Sequence, residues 1–310
     1  MRADPLRFPI GTEVLRSPAA SLRKFSGFLG THVASGLQAI YKIPPAQDRG
    51  AVCCLYLKLI FKLILSPLIP AKRVSEEKVL GSAMQILHYG TFLSLVSEIF
   101  IQRIYYFETS SRSPLIVDAG SNIGMSILFF TRLYPQCRVI GFEPDPQTFN
   151  VLRSNIQRNH LEQVQLHNKA LCAANGEVEF YTDLDRPGSG RMSAVRERFP
   201  ESAGRVVGRQ KVEAARLSGF ILEEVDLLKL DIEGAEGAVM QELAEAGKLK
   251  FIKQIIVEYH HHLNPCQDYL SRILRPLEEN GFGYQISGSA RMPIVHGSVQ
   301  PILIYAYRKS

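Results

Sequence analysis

The run Leu115-Ile116-Val117-Asp118-Ala119-Gly120-Ser121-Asn122-Ile123-Gly124 takes a short apolar strand into a glycine-containing turn, and Met125 to Tyr134 follow with helical character. Glycine at such a junction lets a ligand approach the backbone closely, and the start of the helix offers unpaired N–H groups. A nucleotide-like cofactor fits there. The spacing is D-x-G-x-N-x-G, without the third glycine of the dinucleotide fingerprint. Asp118 at the strand end suits a cation or a water network and would repel a pyrophosphate. About twenty residues further on, Gly141-Phe142-Glu143-Pro144-Asp145-Pro146 closes the next apolar run, and a carboxylate in that register accepts both ribose hydroxyls of an adenosine without a 2′-phosphate. Pro144 turns the chain away from the adenine side, and Asp145 suits the cap of the next helix.

Outward from this pair of motifs, apolar runs at 115–119, 138–142, 164–171, 225–231, 253–259, 284–287 and 302–307 read as seven strands. Amphipathic stretches at 125–134, 147–159, 236–249 and 267–280 read as helices between them, the signature of βαβ units on a parallel sheet. No helix separates the last two runs, so they pair as an antiparallel hairpin at the sheet edge. Residues 176–217 interrupt the alternation as an inserted hairpin and lid. In that insertion, Arg186 to Ser193 with Arg196 and Arg198 is glycine-rich and basic, suited to gripping an acidic or hydroxyl-rich acceptor.

Residues 1–110 read as a helical extension preceding a domain at 111–310, with apolar residues at helical spacing from Val79 through Met84, Leu87, Phe92, Leu95, Ile99 and Ile104. The net charge of +6 is concentrated there: residues 1–113 hold 14 Lys and Arg against 7 Asp and Glu, whereas residues 114–310 hold 22 against 23. Such asymmetry suggests an anionic partner. The absence of Trp and of basic runs interleaved with aromatics argues against nucleic acid. Ala51 to Pro70 has the length of a membrane span, but Lys58 and Lys62 lie on one helical face. A packed helix, an in-plane membrane contact and a true span remain the three readings, in that order. Five cysteines at irregular positions give no disulfide framework. With no apolar leader after Met1, the expectation is a cytoplasmic chain, with peripheral contact at the inner membrane surface through 51–70.

The third motif is Lys229-Leu230-Asp231-Ile232-Glu233-Gly234-Ala235-Glu236. Continued extension of the strand would put Lys229, Asp231 and Glu233 on one face at the carboxyl end of a central strand, where ligands of open α/β sheets bind. Glu236 belongs to the first turn of the next helix. Glu258 and His260 alternate to one face of the neighbouring strand, and His260 is placed to take a hydroxyl proton, with Asp231 or Glu233 orienting it. Three consecutive histidines, 260–262, cannot all face inward, so no metal site is assigned.

VDAGSNIG, GFEPDP, the NKAL at 168–171, KLDIEGAE and Val257-Glu258-Tyr259-His260 are together similar, in order and spacing, to the motif series of the FkbM family among class I S-adenosylmethionine-dependent methyltransferases. The resemblance spans about residues 114–287. It implies a seven-stranded, Rossmann-like α/β fold and methyl transfer from S-adenosylmethionine to a hydroxyl of a sugar, glycolipid or natural product. It also implies that Gly120, Asn122 and Gly124 line the methionine and ribose region and that Glu143 holds the ribose. Asp118, Pro144, Asn168 and Ala170 complete the expected cofactor set, and Lys229, Asp231, Glu233 and His260 the catalytic one. Two alternatives stand beside this: an NAD-dependent oxidoreductase using the same turn and carboxylate, and a noncatalytic membrane-associated scaffold that retains the cofactor fold.

Overall fold

The computed structural model describes residues 46–65, 75–184, 188, 192–196, 206–263, 269–288 and 300–309. Its first element is α1 (Ala46–Leu65), whose Val52, Leu55, Tyr56, Leu59 and Ile60 form a buried stripe at helical spacing. Lys58 and Lys62 share a face, as their spacing requires, and both ammonium groups reach the Glu77 carboxylate on β1 (Ser75–Val79), Lys58 at 2.8 Å. Tyr89 Oη adds a third donor at 2.8 Å. Burial raises the Glu77 pKa, but these donors outweigh it and hold the carboxyl below its ordinary value. The described part of 51–70 is therefore a packed helix with its lysines paired internally. No helix among the described residues is long and apolar enough to cross a membrane.

β1 pairs antiparallel with β2 (Ser82–Ile86) through Leu80-Gly81, both at positive φ (50° and 96°). The helical reading of 75–86 is corrected to a hairpin. The buried side chains Glu77, Val79, Met84 and Ile86 alternate with period two, and Gly81 supplies the left-handed turn residue. Helix resumes at α2 (Tyr89–Leu95), capped by the His88 ring accepting the Thr91 N–H, and widens directly into a π turn over Val96–Ile101.

The central sheet begins with β3 (Leu115–Ala119), then α3 (Met125–Leu133), β4 (Arg138–Phe142), α4 (Pro146–Arg158) and β5 (Val164–His167). Asp145 caps α4 by accepting the Thr148 N–H and Oγ1–H. The run expected over 164–171 is broken at Asn168. Its last residues form β6 (Ala170–Leu171) in a separate three-stranded sheet with β7 (Gly176–Asp183) and β8 (Val207–Ala215), the inserted hairpin. The chain then returns as β9 (Val225–Leu230), α5 (Glu236–Glu245), β10 (Ile252–His261), α6 (Ser271–Glu279), β11 (Phe282–Gly288) and β12 (Gln300–Arg308). The seven strands lie in the order β11-β12-β10-β9-β3-β4-β5, and only β12 runs antiparallel to its neighbours. The final antiparallel pair thus sits at the edge, with β12 between β11 and β10. Of the lid residues, Arg186, Pro187, Ser189 to Arg191 and Arg198 lie outside the described residues, as do 1–45 and 66–74.

Both faces of the sheet are covered. Leu115, Val117 and Ala119 of β3 face one core with α5 and α6, while Ile116 faces the other with α3 and α4. Residues 52–107 contribute to that second core, so the boundary expected near 110 does not separate two cores. The hairpin is tied down by two side-chain amides one turn apart, on α4 and at its C-cap: Asn155 bonds Gln85 N–H (2.6 Å) and Gln85 C=O (3.0 Å), and the Asn159 amide group does the same at Ala83. The two side chains act as a substitute strand along the edge of β2. Asn155 also donates to Ile123 C=O at 2.8 Å beside the glycine turn. Asn155→Ala should cost about 3 kcal/mol by urea unfolding at unchanged m, because it strands buried backbone groups. A loss under about 1 kcal/mol would contradict this.

Candidate active site

The chain moves outward from β3 to β4 and β5 and then returns to β9 on the opposite side of β3, so the carboxyl ends of β3, β4 and β9 frame a crevice at the point of reversal. A cleft of about 830 Å³, including its open mouth, lies there. Its first wall is built by Gly120, Ser121 and Asn122 after β3 and by Phe142, Glu143 and Pro144 at the end of β4, with Ala170 and Leu171 beyond. Its second wall carries Lys229, Asp231 and Glu233 at the end of β9.

Gly120 is required where it stands. It has φ +92°, and a Cβ there would overlap the Asp231 carbonyl oxygen. Gly120→Ala should therefore lower stability by more than about 3 kcal/mol or abolish soluble expression, and wild-type stability would refute the clash. Asn122 occupies the left-handed region at φ 48°, aiming its N–H at Glu143 Oε2 (3.0 Å). Glu143 Oε1 accepts the Asp145 N–H at 2.9 Å. Each carboxylate oxygen thus keeps a lone pair for a ligand. Burial pushes the Glu143 carboxyl up to about 8, against the pull of those backbone donors and of Lys229.

Three members of the expected cofactor set stand behind the cleft instead of lining it. Asp118 is fully buried, accepting Ser126 Oγ–H at 2.6 Å and pairing with Lys229 Nζ at 3.1 Å. The cation it suits is this ammonium. Gly124 caps α3 at φ 93° against Leu152. Asn168 donates to the carbonyls of Glu143 and Pro144 at 2.8 and 3.0 Å, fixing the loop that presents the carboxylate.

On the second wall, β9 ends at Leu230 and the chain leaves the extended state, with Glu233 at φ 55° and Gly234 at φ 114°. The common face of Lys229, Asp231 and Glu233 thus comes from the turn, not from continued pleating. Lys229 is buried and donates to Gly120 C=O at 2.6 Å, with Asp231 Oδ2 at 3.6 Å. Its burial lowers the pKa, but Asp118 and Asp231 more than offset this, so it stays charged.

His260 does not line the cleft itself but sits against its second wall, beside Glu233 as expected. Nδ1 meets Glu236 Oε1 at 2.9 Å and Nε2 meets Glu233 Oε2 at 3.1 Å, with Glu258 Oε1 at 4.0 Å, so Glu233 links the ring to the cleft. Glu236 itself accepts the Gly234 N–H at the start of α5, as its first-turn position predicts. Asp231, Glu258 and His260 each bring one potential ligand atom within 4.8 Å of the others, but Lys229 already supplies a cation beside Asp231.

Sequence reasoning missed Tyr105. Its Oη, carried by the segment after the π turn, donates to Asp231 Oδ2 at 2.9 Å and lies 3.3 Å from Glu258 Oε2, with its ring against Lys229. Burial and the Asp231 and Glu258 carboxylates push its pKa well above the ordinary phenol value, so it remains a donor. Burial and the same group of carboxylates raise Glu258 as well. Glu98, in the π turn, is pushed up to about 7 by desolvation and by Asp231 and Glu233. The one local signal is the tyrosine pair Tyr105-Tyr106 between Ile104 and Phe107, and nothing in it points to Asp231.

Compared with known proteins, residues 118–284 match the family model described as the Methyltransferase FkbM domain. Methyltransferase sdnD of Sordaria araneosa is 31% identical over 190 residues, 53% of this chain and 73% of that protein. The 31-O-demethyl-FK506 methyltransferase FkbM of Streptomyces tacrolimicus is 27% identical over 210 residues, 58% and 79%. Among solved structures, Methyltransferase FkbM from Methylobacillus flagellatus KT superposes with a TM-score of 0.44 at 15% identity, covering 81% of this chain and 60% of that one.

Proposed function

This chain belongs to the FkbM methyltransferase family, and on that premise we propose that its cleft binds S-adenosylmethionine on the β3–β4 wall and methylates a hydroxyl oxygen of a small-molecule or glycan acceptor presented at Asp231. The observation that carries the reading is the pairing of two carboxylates across one cleft: Glu143, held by backbone N–H groups with lone pairs to spare, and Asp231, pinned by a tyrosine that stays protonated. The O-methyl specificity that the Streptomyces relative's name carries supports a hydroxyl acceptor.

The first wall suits this cofactor: Glu143 accepts ribose hydroxyls, Phe142, Ala170 and Leu171 give an apolar slot, and Gly120 allows close approach. Bound there, S-adenosylmethionine would supply the methyl group from its sulfonium sulfur, the methyl–sulfur bond pair returning to sulfur as neutral S-adenosylhomocysteine. Asp231 receives the acceptor O–H on the oxygen that Tyr105 leaves open and takes up its proton as the new O–C bond forms. Lys229 fixes Asp231 and the glycine turn in one frame, which supplies orientation more than charge chemistry. His260 positions Glu233. Methyl-labelled S-adenosylmethionine offered with hydroxylated acceptors should place the label in a methoxy group, whereas label on nitrogen or carbon would contradict the reading.

A pH dependence follows from Glu143. Below about 8 its carboxyl is protonated; above that it is an anion and a stronger acceptor for ribose O–H. S-adenosylhomocysteine affinity should therefore tighten several-fold between pH 7 and 9, and Glu143→Gln should lose that step. A pH-independent wild-type affinity would refute it.

A further inference from the structure

Residues 95–105 precede the family-matched span at 118–284, yet Leu95, Ile99 and Tyr105 line the cleft. The sheet order divides that cleft. The ends of β3 and β4 make the wall assigned above to the cofactor, and the end of β9 makes the other wall, where Tyr105 bonds Asp231. The N-terminal segment meets the end of β9 through Tyr105 and Glu98, while its π turn Val96–Ile101, where Gln102 N–H reaches Ser97 C=O at 2.8 Å, packs on α3 through Phe100 and Phe129. The extra residue per turn in such a widening changes which side chains share a face, and π turns recur at functional sites. Here Leu95 and Ile99 line the cleft and Tyr105 is held on Asp231.

Apart from Lys229, already committed to Asp118 and the Gly120 carbonyl, the ionisable side chains lining the β9 wall are the carboxyls of Asp231 and Glu233. Glu258 lies beneath Tyr105, and Glu98 is close enough for Asp231 and Glu233 to hold its proton on. An anionic acceptor would meet like charge at short range, whereas an uncharged one would lay an apolar surface on Leu95 and Ile99.

Building on the function proposed above, we propose that residues 95–105 form the acceptor wall of the cleft and select a hydroxyl carried on an uncharged, largely apolar ring or chain, with Tyr105 as the positioning residue for Asp231. Tyr105 does not touch the reacting atoms. It holds one oxygen of Asp231 so that the other faces the acceptor.

The test uses three probes on one scaffold: 4-methylcyclohexanol, 4-aminocyclohexanol and 4-hydroxycyclohexanecarboxylate. Their binding to the full-length chain is measured by titration and ligand-observed NMR, with and without S-adenosylhomocysteine. The methyl probe should bind at least tenfold more tightly than the carboxylate and more tightly than the amine, and tighter binding of the amine would overturn the choice of an uncharged acceptor. At pH 9, where the Glu98 carboxyl is ionised, Glu98→Gln should narrow the gap between methyl probe and carboxylate, and Leu95→Ala should weaken the methyl probe, both with S-adenosylhomocysteine affinity unchanged. Tyr105→Phe, which keeps the ring, should lower kcat for any turned-over alcohol with its KM little changed, and should add nothing in an Asp231→Asn background. Equal binding of the carboxylate, a gap indifferent to Glu98→Gln, or an additive Tyr105→Phe effect would overturn the inference. So would binding of S-adenosylhomocysteine with no probe bound. Probe discrimination without S-adenosylhomocysteine binding would leave the wall standing and refute the cofactor assignment.

Discussion

Glu143→Ala is expected to weaken S-adenosylhomocysteine binding at least a hundredfold by calorimetry at pH 9, where the Glu143 carboxyl is ionised. The carboxylate is 4% exposed and held from behind by the N–H groups of Asn122 and Asp145, so its remaining lone pairs point at a fixed place in the cleft. Two ribose hydroxyls donating to it would each contribute about 1.5–3 kcal/mol, which together spans roughly two to four decades of affinity. Alanine also releases the two backbone donors and should lower the melting temperature. Glu143→Gln separates the effects, since it keeps an acceptor and much of the packing and should cost nearer tenfold. An affinity within threefold of wild type in the alanine variant would mean the ribose is held elsewhere.

The second large effect belongs to Asp231. Asp231→Asn preserves shape and the contact with Tyr105 but removes the proton acceptor, and kcat should fall about a thousandfold, within the range for loss of a general base. S-adenosylhomocysteine affinity should stay within a few-fold, because the cofactor wall is built by other strands. His260→Gln should be milder than Asp231→Asn, since the ring does not line the cleft and acts on it through Glu233. If the ranking of these two is reversed, the proton leaves by way of the histidine and the assignment of roles fails.

Much of this site is legible locally. The strands 115–119 and 138–142 lie where their apolar runs place them, and the Asp145 cap and the edge pairing of the last two strands follow from local rules. The glycine turn and Glu143 meet because consecutive parallel strands bring their carboxyl ends together. What was not legible depends on long-range contacts. Tyr105 meets Asp231 across 126 positions of sequence, and no periodicity encodes that encounter. The hairpin at 75–86 is hidden because the charged Glu77 holds one of its four inward positions, so β1 shows no apolar alternation, and Asn155 on α4 completes its edge. Asp118 and His260 were read as ligand-facing because charge at a strand end suggests function. Each is instead buried with a partner, Lys229 for one and Glu233 with Glu236 for the other. A strand pattern specifies which face a residue takes, not how much packing lies between that face and the ligand.

The central claim is that the cleft is built for S-adenosylmethionine. The most direct test is calorimetric titration of the full-length chain with S-adenosylhomocysteine and, separately, with NAD. The account predicts micromolar binding of S-adenosylhomocysteine and none of NAD. Binding of NAD with no response to S-adenosylhomocysteine would contradict it.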